Sequence, residues 1–216
     1  VLRAIVAAAM ALAASACGAS PVPPSPSPTP DHVDPARIDR VRAELPAGYE
    51  FAAVPKGTSP VELWGYGGGW KADPARCAAL ADPVPAATTT AGWSASGPGG
   101  IVYAVVLGAP EPVQLDSALL DDCGRWTLSG GQRHSTVTFT PAPTVERADT
   151  VATVTDSSTV VEGGTQTRSY ARTVTAYLGS HVAYVAVVTD PGSPNPQLGQ
   201  EFAAGLLQES VSALRG

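Results

Sequence analysis

Two apolar runs constrain this chain more than any other feature. Residues 101–107 (Ile-Val-Tyr-Ala-Val-Val-Leu) and 182–188 (Val-Ala-Tyr-Val-Ala-Val-Val) contain no charged side chain. Glycine and proline bound both runs, at Gly99-Gly100 and Gly108, and at Gly179-Ser180 and Asp190-Pro191-Gly192. Runs this short and this rich in β-branched residues read as strands buried on both faces, at the centre of a sheet. Half-buried strands are predicted around them. Val137 and Phe139 alternate with Thr136, Thr138 and Thr140, residues 150–155 and Val160-Val161 are rich in Thr and Val, and Trp93 lies on a partner strand before the turn Gly97-Pro98-Gly99-Gly100. Tyr170, Val174 and Ala176 fall on one strand face, with Thr173, Thr175 and Tyr177 on the other. Gly163-Gly164 marks a further turn.

Helical signals come at the beginning, middle and end. Asp34 suits an N-cap with Pro35 in the first helical position, followed by Ile38, Val41 and Leu45 at helical spacing, and Pro46 with Gly48 as a stop. The same Asp-Pro-Ala-Arg start recurs from Asp73 to Arg76, which reads as shared helix-start chemistry and not as a repeat. Residues 115–123 predict a short helix with Leu115, Leu119 and Leu120 inward. Phe202, Leu206, Leu207, Val211 and Leu214 form the stripe of a final helix, with Glu201, Gln208 and Glu209 opposite. The fold class predicted is α+β: a single antiparallel sheet packed with N-terminal, middle and C-terminal helices.

Residues 1–16 read as an export signal, with Arg3 as the only charge and an apolar stretch from Ala4 to Ala14 too short to span a bilayer as a helix. The segment Leu12-Ala13-Ala14-Ser15-Ala16-Cys17-Gly18 resembles a bacterial lipobox, which implies cleavage before Cys17 and acylation of that cysteine by chains such as palmitate. Ala14 stands where the lipobox usually has Leu, and a simple secretory cut after Ala-Ser-Ala is the alternative. Acyl chains contribute about 0.8 kcal/mol per buried methylene, so two or three anchor stably. Residues 17–33 are a linker in which Pro21, Pro23, Pro24, Pro26, Pro28 and Pro30 enforce extended geometry, reaching some 50 Å at about 3 Å per residue. Residues 34–216 are the globular domain, and the expected location is the outer face of the cell membrane.

With Cys17 assigned to lipid, Cys77 and Cys123 remain as one even pair, which in an oxidising compartment is most simply a disulfide. A loop of that length gives about 4 kcal/mol at best. A metal site is the alternative, but His134 and His181 show no ligand spacing to either cysteine. The formal charge is −6, and Lys56 and Lys71 are the only lysines, which argues against a phosphate-backbone or polybasic membrane surface. No nucleic-acid partner, cofactor or metal is expected.

Leu63-Trp64-Gly65-Tyr66-Gly67-Gly68-Gly69-Trp70 is the oddest local composition in the domain. Its glycines permit close backbone approach, and Trp64, Tyr66 and Trp70, with Trp93, offer flat faces to a sugar or ring. The competing reading, which the composition favours, is a glycine-hinged loop whose tryptophans plug the core. No catalytic set emerges. Gly92-Trp93-Ser94-Ala95-Ser96-Gly97 misses the Gly-x-Ser-x-Gly elbow, and no spacing links Ser94 or Ser96 to His134, His181 or Asp190. Asp116, Asp121 and Asp122 lack the glycine-punctuated loop of an EF-hand.

With the lipobox, proline tether, aromatic-glycine loop, cysteine pair and the ending that begins Val-Val-Thr-Asp-Pro-Gly-Ser-Pro in view, the chain resembles an uncharacterised group of mycobacterial lipoproteins carrying a domain of unknown function, over residues 34–216. More distantly it resembles the extracellular sensor domain of the PknH-type receptor kinases, an α+β domain with a cleft. That sensor has two disulfides, where this domain can form one. The tether and the aromatic-glycine loop point to a non-enzymatic ligand-binding or sensing domain, with the ligand in a cleft lined partly by Trp64, Tyr66, Trp70 and Trp93. A protein-interaction scaffold without a pocket is the alternative, and a serine-based envelope hydrolase the third reading.

Overall fold

The computed structural model describes residues 32–190 and 192–216, so the signal segment, Cys17 and nearly all of the linker lie outside the described residues. Nine strands form one sheet: β1 (Glu50–Ala53), β2 (Lys71–Asp73), β3 (Thr89–Gly97), β4 (Gly100–Gly108), β5 (Arg125–Gly130), β6 (Arg133–Thr140), β7 (Asp149–Val160), β8 (Gln166–Leu178) and β9 (His181–Thr189). Their order is β1-β3-β4-β9-β8-β7-β6-β5-β2, and every neighbouring pair is antiparallel. The two apolar runs are β4 and β9. They pair with each other in register from Ile101 with Val188 to Gly108 with His181, and over residues 104–107 and 182–187 their side chains are buried on both faces, as strands between two covering layers must be, while Ile101 at the open end is exposed.

One face is covered by helices. The 16-residue helix Gln200–Arg215 buries Ala203, Leu206, Leu207, Val211 and Leu214 against Val185, Val187, Val174 and Ala176. Phe202 is only half-buried, and the inward stripe also takes Ser210, whose hydroxyl donates to the Leu206 carbonyl at 2.6 Å. Each leucine so buried contributes about 1.5–3 kcal/mol. The N-terminal helix forms where expected, Pro35–Glu44, with Asp34 accepting from the Ala36 N–H, but winds as a 3-10 helix. At three residues per turn Ile38 and Val41 share one edge and are buried. Leu45 falls beyond its end and is half-buried. The Trp93 indole N–H donates to the Ile38 carbonyl at 3.0 Å, fastening this helix to β3.

The other face is covered by residues 54–88 and by α3. It carries the short helices α1 (Pro60–Leu63) and α2 (Ala78–Ala81), the latter preceded by the 3-10 turn Ala75–Cys77, and then α3 (Ser117–Asp122). The second Asp-Pro-Ala-Arg segment departs from expectation: Asp73 is the last residue of β2 and caps nothing. In α3, Leu119 is buried and Leu115, just before the helix, is half-buried. Leu120 faces solvent at 39% exposure, because so short a helix presents only one inward turn. Cys77 and Cys123 are disulfide-bonded across a separation of 46 residues and fully buried, tying the α2 segment to the end of α3.

Candidate functional site

The aromatic-glycine loop follows α1, which opens with a capping box: Glu62 accepts from the Ser59 N–H at 3.2 Å. The turn beyond it directs Trp64 and Tyr66 inward. Trp64 is buried near Trp126, ring centroids 6.4 Å apart, and its indole N–H donates to the Thr173 hydroxyl at 3.0 Å. The Tyr66 hydroxyl bonds Ser135 at 2.7 Å and the Leu128 carbonyl at 3.2 Å, and Ser135 continues to Ser157 at 2.7 Å. Burial raises the Tyr66 pKa, opposed by the Ser135 bond and the charge of Arg133. Gly65 has φ +90°, and a Cβ there would lie 2.7 Å from the Arg133 guanidinium. Arg133 donates to the Trp64 carbonyl at 3.1 Å and lies over the Tyr66 ring. Trp70 is half-buried against the β5 end at Gly130. Trp93 is 0% exposed on the opposite, helix-covered face.

Of the four aromatic residues singled out for ligand binding, Trp64, Tyr66 and Trp70 pack into one core layer and Trp93 lies apart from them. The flat apolar area that suits a sugar suits burial equally well, and the buried ring N–H or O–H groups of Trp64, Tyr66 and Trp93 each have a hydrogen-bond partner inside the protein.

Of the residues weighed for hydrolysis, Ser96 and Asp190 line one cleft, but both histidines lie apart from the serines. Ser94 and Ser96 pair with Tyr103 and Ile101 on the loop-covered face. His134 is on β6, five strands from β3, or about 24 Å at about 4.8 Å per strand. His181 begins β9, about 23 Å along that strand from Val188, which sits beside Ile101. Asp116 caps α3 by accepting from the Ala118 N–H at 2.9 Å, and Asp122 is ion-paired with Arg76. Among the described residues no group of three or more His, Cys, Asp or Glu side chains is placed to hold a metal ion.

A cleft does exist, at a place no sequence motif marks. β9 leaves the sheet at Thr189, opposite Tyr170, but β8 runs on through residues 166–169 paired only with β7. On the far side β4 begins at Gly100, after the tight β3–β4 turn. The notch left between them is a cleft of about 490 Å³. Ile101 and Val188 supply an apolar floor, Ile101 at 37% exposure. Ser96, Arg168, Ser169 and Asp190 supply the polar rim, with Ser193, Asn195 and Gln197 from the loop beyond β9. Thr189 also lines it, 3% exposed and with its hydroxyl unpartnered.

Local chemistry holds these walls. Arg168 pairs with Asp156 at 3.0 Å, and the Ser169 hydroxyl accepts a long 3.5 Å bond from Arg133, which links the cleft to the aromatic loop. The Asp190 carboxylate accepts from the Gly192 N–H at 2.8 Å, and the Gln197 amide donates to the Asp190 carbonyl at 3.2 Å. The turn is clamped by the Gly99 N–H donating to the Tyr49 hydroxyl at 3.1 Å and by the Leu198 N–H donating to the Gly99 carbonyl at 3.2 Å. Glycine is required there: a Cβ at Gly97 would meet the Tyr49 ring at 2.7 Å, and Gly100, at φ +121°, would place one 2.5 Å from the Val188 carbonyl.

Residues 34–215 match the family described as Domain of unknown function (DUF5642). Among solved structures, the X-ray structure of an uncharacterised Mycobacterium smegmatis protein, the Rv0999 ortholog, is similar with a TM-score of 0.64 at 22% identity, over 86% of this chain and 98% of that one. The likeness is one of fold. The extracellular domain of PknH from Mycobacterium tuberculosis gives a TM-score of 0.47 at 13% identity, over 83% of this chain and 92% of that one. No curated protein matches the chain.

Proposed function

The chain belongs to the DUF5642 family, and from that premise we propose that it is an exported, lipid-anchored and non-enzymatic domain that binds an envelope ligand in the cleft at the end of its sheet. The observation that carries the reading is the cleft itself. Its volume of about 490 Å³ is in the range of small-ligand sites, and it combines an apolar floor with convergent polar groups. The walls are braced before any ligand arrives, so little ordering cost falls on binding. Two features support the location. The cysteine pair is bonded, which suits an oxidising compartment, and the segment ending at Cys17 has the composition of an acylated export signal. A proline-rich linker would hold the domain off the membrane without fixing its orientation.

The test is to fill the cleft. Ser96 is exposed on its rim, and a Ser96→Trp substitution places an indole in the cavity without touching the core. Calorimetric titration against peptide, glycan and lipid fractions of the envelope should give heat with one fraction for the parent chain and none for the variant, at equal thermal stability. Heat that survives the substitution would move binding elsewhere and favour a partner-docking surface without a pocket.

A further inference from the structure

The notch is a gap in the hydrogen-bond ladder as well as a cavity. Residues 166–169 of β8 pair with residues 157–160 of β7 on one side, while β9 pairs only from Tyr170 onward. In an antiparallel strand alternate residues turn both main-chain groups to the same side. Two of these four residues therefore direct N–H and C=O into the cleft, where no ladder partner meets them among the described residues. The outer edges of the sheet are blunted in the usual way, by strands of only four and three residues, β1 and β2. The β8 edge is open but recessed between the glycine turn and the loop residues Asp190, Ser193, Asn195 and Gln197.

Side chains around the gap sort by face. On the loop-covered face a guest strand would lie beside Ile101, Val188 and Ser169; on the other it would meet Arg168, Asp156 and Ser158. We propose that the ligand of this cleft is an extended peptide segment of a partner protein, which adds to β8 at residues 166–169 along the line that β9 vacates. Four residues at about 3.3 Å each give a footprint of about 13 Å. Because strand side chains alternate between faces, the preferred segment alternates apolar residues, set against Ile101 and Val188, with hydrogen-bonding residues set against the Arg168–Asp156 pair. Main-chain pairing supplies the affinity and this alternation the selectivity. A glycan would engage the rim side chains and leave the strand edge unpaired.

This inference rests on the cleft being the binding site, and its test separates the two. The probes are a capped hexapeptide alternating valine and serine, and the same peptide N-methylated at alternate amides, which keeps the side chains and removes donors. Hydrogen exchange is followed on the full chain. The parent peptide should slow exchange at residues 166–169 at least tenfold, the N-methylated peptide should leave it unchanged, and Ile101→Ser should weaken protection severalfold. Equal protection by both peptides would overturn strand addition, as would protection at residues 89–92 or β1 instead, or none at millimolar peptide. If a glycan fraction protects the cleft while the peptide does not, the peptide inference fails and the cleft reading survives. Binding that ignores Ser96→Trp defeats the cleft reading itself.

Discussion

At Gly65 the backbone has φ +90° and the Arg133 guanidinium lies where a Cβ would be, at 2.7 Å. Gly65→Ala should therefore cost about 1–3 kcal/mol, from left-handed strain and displacement of Arg133, read as a lowered denaturant midpoint at unchanged slope. Gly67, with open space around it and no positive φ, should tolerate the same change within about 0.5 kcal/mol. Tyr177 makes a pH-dependent counterpart. Burial, with the charge of Asp149 added, pushes its hydroxyl up to about 12, against about 10 in an unfolded chain. The folded state holds that proton more tightly, so its contribution is complete below pH 10 and is lost as pH rises from 10 to 12. Urea melts across that window should show stability falling by about 2 kcal/mol from this group, and Tyr177→Phe should flatten the fall. Such residue-level demands were partly legible. The glycine-rich loop announced close approach, but whether its aromatics faced a ligand or the core depended on partners far away in sequence, Thr173 for Trp64 and Ser135 for Tyr66.

The short helices on the loop-covered face hold few buried contacts of their own, and the Cys77–Cys123 bridge joins two of them. Replacing both cysteines by serine should cost about 2–4 kcal/mol, the loop-entropy scale for a separation of 46 residues. The loss should appear as faster amide exchange at α2 and α3 before β4 and β9. The elements themselves were largely readable. The apolar runs gave the paired central strands β4 and β9, and capping chemistry placed the first helix, though not its 3-10 winding. The cleft was not readable, for a definable reason. It arises because β8 outruns β9 by four residues, and strand length relative to a neighbour is a property of register, which composition does not carry. Turn signals at Gly97-Pro98-Gly99-Gly100 and from Asp190 onward marked the chain on both sides of the cleft without revealing that these segments face each other.

Taken as a molecule, the domain is one sheet with a helical layer on one side and a disulfide-tied loop layer on the other, and the cleft opens where the central strand stops short. No helix among the described residues is long and apolar enough to cross a membrane; the membrane attachment proposed above is through Cys17. Cys17→Ala should shift the protein from the membrane pellet to the soluble or secreted fraction while leaving thermal stability unchanged, as checked by fractionation and melting. The notch beside β8 is where this domain is proposed to meet its ligand. Amide chemical-shift mapping of the labelled domain, titrated with fractionated envelope extract, addresses it most directly. Shifts should concentrate at residues 96–101, at Arg168, Ser169 and Thr189, and at residues 193–197. Shifts confined to the helix Gln200–Arg215, to α3, or to the aromatic loop around Trp70 would contradict it.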